Sequence, residues 1–181
     1  MTSKLKFLVL TTLVLILSVL TSSLQFLKKE KEAISFSQAE TEFILKELSS
    51  DKMEGRKSGT KGFNLACDFI DSFFTANKIA PFFNNSFKDT VSVEGRTSFN
   101  MVGVIGKNNP KQGYIVLGAH LDHLGKFQSS KDSVYNGSND NASGVTAVLQ
   151  IASHLQKQNT QKNIIVALFT GEEVGLIGSK H

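Results

Sequence analysis

Cysteine is nearly absent and tryptophan wholly so: among 181 residues there is one cysteine, Cys67, and no tryptophan. A single cysteine excludes an internal disulfide and any cysteine-built metal site. It stands on an apolar helix face and reads as an ordinary buried residue. No cysteine lies near the end of the N-terminal apolar run, which argues against a lipid-modified cysteine anchor. The chain also lacks a dense Lys/Arg run with interleaved aromatics, so nucleic-acid binding has little support. The formal net charge is only +4, and setting aside Lys4 and Lys6 lowers it by two. Internal repeats and low-complexity segments are missing. What is present is ordinary: 40% hydrophobic and 9% aromatic residues, enough for one globular core and too many for disorder. The 14 phenylalanines point to no class.

The N-terminus stands apart. Lys4 and Lys6 precede an apolar run from Phe7 to Leu20, and Thr21, Ser22 and Ser23 follow. A basic start, an apolar stretch of this length and small residues after it describe an export signal, with Ser23 as a weak candidate for the cleavage point. The run is shorter than the about 20 apolar residues of a membrane span. Continued to Leu27, with Lys28 and Lys29 as a stop, it approaches that length. A cleaved signal and an uncleaved anchor, with membrane attachment through this segment, are the two forms expected. Both put the protein outside the cytoplasm, as periplasmic, cell-surface or secreted.

Further on, "SQAE" (Ser37 to Glu40) fits a capping box opening a short helix to about Leu48, with Phe43, Ile44 and Leu48 on one face. "SSDKMEGRKSGTKG" is a charged, glycine-containing loop, read as a structural segment packing on the domain that follows. A helix over about Thr60 to Asn77 carries Phe63, Ala66, Cys67, Ile70 and Phe74 at helical spacing, and Pro81 forbids its extension. Strands are expected around Phe87 to Val93 and Asn100 to Ile105. "YIVLGAH" (Tyr114 to His120) and "NIIVALF" (Asn163 to Phe169) are apolar strands. Between them "NASGVTAVLQIASHLQKQ" is a helix with Val145, Val148, Leu149, Ala152 and Leu155 on its apolar face. Strand, helix, strand at this length is a βαβ unit, and continuous apolar strands suit a parallel sheet covered on both faces. The expected fold class is α/β, with a mixed, mainly parallel sheet and helices on both faces. The sheet is small and a new helix begins as the sequence reaches His181, so the chain is expected to be the N-terminal part of a larger protein.

In such a unit the strand C-termini and the helix N-terminus share one sheet edge, where ligand sites collect. Here that edge receives His120 and Asp122 from "AHLDH", Asp140 from "NDNASG", and Glu172 and Glu173 from "TGEE". Carboxylates gathered this way raise one another's pKa, and a divalent cation relieves the repulsion. One imidazole with Asp and Glu, and no thiolate, suits Zn²⁺ in a hydrolytic site. One of the adjacent glutamates would be a ligand and the other a general base toward a metal-activated water. Asp122, two residues beyond His120, would accept the imidazole's second N–H.

"GAHLDHLG", "NGSNDNASG" and "FTGEEVGLIGS", in this order, resemble the three motifs of the zinc aminopeptidase family that includes aminopeptidase Y and bacterial leucyl aminopeptidases. "SDKMEGRKSGTKG" is similar to the segment preceding the catalytic domain in secreted members. The resemblance runs from about Leu45 to Lys180. It implies two zinc ions, a peptide substrate and removal of N-terminal residues. It further implies His120 as a ligand of one ion, Asp140 as the carboxylate bridging both, Glu173 as a ligand of the other, Glu172 as general base and Asp122 as the partner of His120. The family uses two more ligands, an Asp and a His from later segments, and His181 is in the wrong place to be one. The domain organisation implied is a leader at 1–27, a linker at 28–36 and the N-terminal part of a zinc peptidase catalytic domain at 37–181, incomplete and inactive alone.

Blander readings stand beside these. Alone, His120 would be a lone satisfied histidine, and Asp140 is also suited to a helix N-cap. Glu172 and Glu173 would be solvated if no cation is held. His123 is read as a loop histidine pointing away from His120, and His154 as a surface residue. The rival functions are a single-zinc glutaminyl cyclase of the same fold and a non-catalytic, receptor-like module. The apparent bridging Asp140 fits the two-metal peptidases better than the cyclase, and the presence of all three available ligands disfavours the module.

Overall fold

The computed structural model describes residues 3–29, 36–83, 85–107, 109–127, 133–158 and 160–181. Most of the expected linker, residues 30–35, and part of the polar loop after the first apolar strand, residues 128–132, lie outside them. The chain divides into two units, residues 1–35 and 36–181. In the first, the expected leader is one continuous helix, α1 (Ser3–Lys29), with Leu13, Val14, Leu15, Ile16 and Leu17 each more than half exposed. Among the described residues, no helix is long and apolar enough to cross a membrane.

The second unit is a five-stranded sheet with helices. Its strands are β1 (Ala80–Pro81), β2 (Lys88–Val93), β3 (Arg96–Ile105), β4 (Ile115–His120) and β5 (Ile164–Phe169). They run in the order β1-β3-β5-β4, and β2 also pairs with β3. The sheet is mixed, as expected, but not mainly parallel: three of its four strand pairings are antiparallel. Parallel pairing is confined to β4 and β5, while β1, β2 and β5 all run antiparallel to β3. The β2–β3 turn explains one antiparallel pair: Glu94 and Gly95 both have positive φ, 51° and 75°, the two-residue turn whose twist matches a hairpin.

Helix α2 (Gln38–Leu48) opens where the capping box places it, with Ser37 Oγ accepting the Glu40 N–H at 3.2 Å. Ile44 and Leu48 are buried, but Phe43 is 60% exposed, against Phe69. The expected face was one position too wide. Helix α3 (Lys61–Ala76) is capped by Thr60 and buries all five residues expected of it, Cys67 included. Helix α4 (Ser143–Lys157) crosses between β4 and β5 and buries Val145, Val148, Leu149 and Ala152. These faces meet Met101, Ile105, Val166 and Leu168 in one core. Each fully buried Leu, Ile or Phe there contributes roughly 1.5–3 kcal/mol.

Coverage on both faces holds for the central strands only. β3 and β5 are buried along most of their length, whereas Ile115 and Val116 of β4 are 52% and 57% exposed. Among the described residues, β4 stands at the end of the strand order, with a neighbour on one side only.

Candidate metal centre

The register between β4 and β5 pairs His120 with Phe169, so both strands finish at the same edge. One further ladder bond, Leu121 N–H to Phe169 C=O at 2.7 Å, carries the pairing past the strand end. His120 therefore faces the turn that begins at Thr170. Asp140 comes from an irregular turn, Ser138–Ala142, that leads into α4 and contains a cis peptide between Asp140 and Asn141.

Nε2 of His120 lies 3.1 Å from Asp140 Oδ1 and 3.9 Å from Glu172 Oε2. Two sets of possible ligand atoms each fall within 4.8 Å of one another: His120 with Glu172 and Glu173, and His123 with Asp140 and Glu173. The two sets together hold four of the five residues expected at this edge, all but Asp122, and Glu173 belongs to both. His120 and Glu173 are largely buried, with 14% and 18% of their side-chain surface exposed, while Asp140 is open to solvent. His181 is elsewhere, 3.7 Å from Asp89, and His154 packs edge-on against Phe36.

Asp122 differs from its expected arrangement. His120 Nδ1 meets the Asp122 main-chain oxygen at 3.1 Å, while the carboxylate is 3.8 Å away and acts through charge. The carboxylate instead accepts the Ser58 hydroxyl at 3.1 Å and the Glu172 N–H at 3.2 Å. Beyond the strand end the chain bends, and strict alternation no longer sets where side chains point. The carboxylate, the main-chain carbonyl and the Glu172 charge hold the His120 imidazole above its ordinary pKa, against the effect of burial. Ser58 extends the polar contacts inward: its hydroxyl meets Thr170 Oγ1 at 2.8 Å, which meets Ser98 Oγ at 2.6 Å, all buried.

Two further residues were not legible as site members. Arg56, only 1% exposed, donates from Nε to Leu121 C=O at 3.0 Å, from Nη1 to Leu48 and Asn136 C=O, and from Nη2 to Gly137 C=O at 3.0 Å. It ties the loops carrying Asp122 and Asp140 to the end of α2. Burial pushes its pKa down to about 10, and the charges of Asp122, Asp140 and Glu173 act against that shift. His123 is the other: it is buried, and its Nδ1 stands 2.6 Å from Glu173 Oε1. The repeated histidine in "HLDH" was the only signal for it, and strand alternation pointed the wrong way.

The donor set fits a zinc ion by chemistry. Imidazole and carboxylate atoms converge, and one guanidinium stands against the carboxylates of Asp122, Asp140 and Glu173. Beside His120 and Glu172 a cleft of about 270 Å³, lined also by Gly118, Asn141, Phe169 and Leu176, offers room for a ligand.

The same segment, β3 to the end of the chain, matches a known family profile, that of peptidase family M28, over residues 100–181. Those residues belong to peptidase family M28. The likeness to zinc aminopeptidases seen in the three motifs holds at this level. A probable zinc metalloprotease of Pyrenophora teres f. teres is 30% identical over 135 residues, covering 68% of this chain and 27% of that protein. Aminopeptidase YwaD of Bacillus subtilis is 36% identical over 87 residues, 48% of this chain and 17% of that one. The chain thus spans about a quarter or less of these relatives. The fold is shared with solved structures: LapA of Legionella pneumophila superposes with a TM-score of 0.64 at 24% identity, covering 81% of this chain and 38% of that one. A glutaminyl cyclase of Tannerella forsythia shares the fold too, with a TM-score of 0.58 at 16% identity over 81% of this chain and 55% of its own.

Proposed function

We propose that this chain contributes to a zinc-dependent exopeptidase that removes N-terminal residues from peptides. The observation carrying this reading is the convergence of His120, Asp140, Glu172 and Glu173 at one sheet edge, inside the segment that matches family M28. In the proposed assignment His120, Asp140 and Glu173 would hold the zinc. Bound zinc would polarise the scissile carbonyl and lower the pKa of water. Glu172 faces the same space, takes the proton from the attacking water and passes it to the leaving amine. Asp122 fixes the His120 ring through its main-chain oxygen and carries the Glu172 N–H on its carboxylate, so it orients both groups. The N-terminal helix with its basic start supports export, by a leader that is cleaved or kept as an anchor.

The test is hydrolysis of leucyl p-nitroanilide by the zinc-loaded full-length protein, with its N-acetylated form as control. Release from the free amine alone, lost in Glu172→Gln, supports the reading. Cyclisation of an N-terminal glutaminyl peptide without anilide hydrolysis would replace it by the cyclase. Zinc binding with neither reaction would leave a non-catalytic module.

A further inference from the structure

We propose that His123 is a positioning residue that holds the Glu173 carboxylate in the orientation required for a cation. The inference rests on the zinc reading above and adds a residue to it. After β4 ends at His120, the chain no longer follows the sheet. It pairs instead with the turn at Gly55 and Arg56: His123 N–H donates to Arg56 C=O at 3.2 Å, and Gly125 N–H to Gly55 C=O at 2.9 Å. This rotates His123 toward Glu173, although the two are 50 positions apart.

The imidazole is held on several sides. Tyr135 meets it edge-on, with ring centroids 6.3 Å apart at 90°. Gly137 packs so close that a Cβ there would stand 2.5 Å from His123 Cδ2 and 2.7 Å from Arg56 Nη2. Gly137 also has φ +60°, so the position demands glycine twice over. With 8% of its surface exposed, His123 has little freedom to rotate.

The contact itself reads as a hydrogen bond. Two ligands of a tetrahedral zinc, each about 2.0–2.1 Å from it, stand roughly 3.4 Å apart. Nδ1 and Oε1 at 2.6 Å are too close for that and suit an N–H donating to a carboxylate. One oxygen of Glu173 is thereby fixed by His123, and the carboxylate is presented in a single rotamer. A carboxylate oriented in advance binds metal more tightly than one that must be ordered on binding.

The experiment is zinc affinity, by competition with a chromophoric chelator, for the full chain and for His123→Ala and His123→Asn. Asparagine places an amide N–H near the position of Nδ1. The expected result is a roughly 10–100-fold weaker affinity in the alanine variant, with recovery to within about threefold of wild type in the asparagine variant. Circular dichroism checks folding, and His123→Leu, similar in volume with no donor, replaces alanine if that variant does not fold. Unchanged affinity in the non-donor variant overturns the proposal alone. So does an asparagine variant as weak as alanine, since the ring would then be needed as a ligand. Absence of zinc binding by wild type overturns the zinc reading, and the role of His123 with it.

Discussion

Replacing Arg56 should damage this fold more than any surface charge would. Its guanidinium donates to four main-chain oxygens, those of Leu48, Leu121, Asn136 and Gly137, from a site 1% exposed. Removing it leaves the Leu48, Leu121 and Asn136 oxygens without this donor, while Gly137 C=O keeps the Ala142 N–H at 3.1 Å, and takes away the positive charge facing Asp122, Asp140 and Glu173. Each buried acceptor left unsatisfied costs about 1–3 kcal/mol, so their loss is a large part of the roughly 5–15 kcal/mol holding a domain together. Arg56→Lys keeps the charge but not the fork. A single ammonium cannot reach all four acceptors, and the loss of one or two charge-assisted bonds predicts about 2–3 kcal/mol. Urea melts followed by circular dichroism, with chelator present so that metal does not contribute, measure both variants. Midpoints should fall in the order wild type, lysine, alanine. If both variants stay within about 1 kcal/mol of wild type, Arg56 is an incidental buried side chain and the clamp does not exist.

Three other outcomes follow from the same geometry. Glu172→Gln should lower turnover of an active full-length enzyme by roughly 10²–10⁴-fold while zinc affinity, measured by calorimetry, changes little. Gly137→Ala forces a Cβ to 2.5 Å from both the Asp140 carbonyl oxygen and His123 at positive φ. It should cost about 1–3 kcal/mol in a thermal melt and weaken zinc binding in the same protein. Cys67 is buried, and burial raises its thiol from 9.0 to about 12. Between those values the unfolded chain binds fewer protons than the folded one. Its contribution to stability is therefore absent below pH 9.0 and turns destabilising as pH rises toward 12. At pH 8 a thiol-reactive chromogen should label Cys67 only as fast as the protein opens, and addition of urea should raise that rate in step with unfolding.

Much of the architecture was written locally. The capping Ser37, the 3.6-residue spacing on α3 and α4 and the apolar runs of β4 and β5 each act within a few positions, and each element appears where its own residues dictate. The edge that gathers His120, Asp140, Glu172 and Glu173 was legible for a related reason: in a parallel pair, chain direction alone decides which ends meet. The parts that were not legible depend on contacts far apart in sequence. Ser58 reaches Asp122 across 64 positions and Gly171 across 113, and Arg56 reaches Gly137 across 81. Asp122 and His123 lie just past the end of β4, where alternation stops and an irregular loop sets the direction of each side chain. The exposure of β4 could not be read from its composition, because Ile115 and Val116 look the same in an edge strand as in a central one.

The most direct test of the central claim is X-ray absorption at the zinc edge on the purified, zinc-loaded protein. The account predicts a shell of nitrogen and oxygen ligands at about 2.0–2.1 Å, with the outer-shell scattering of an imidazole that disappears in His120→Ala. Scattering from sulfur, or a fully hydrated ion unchanged by loss of His120, would contradict it.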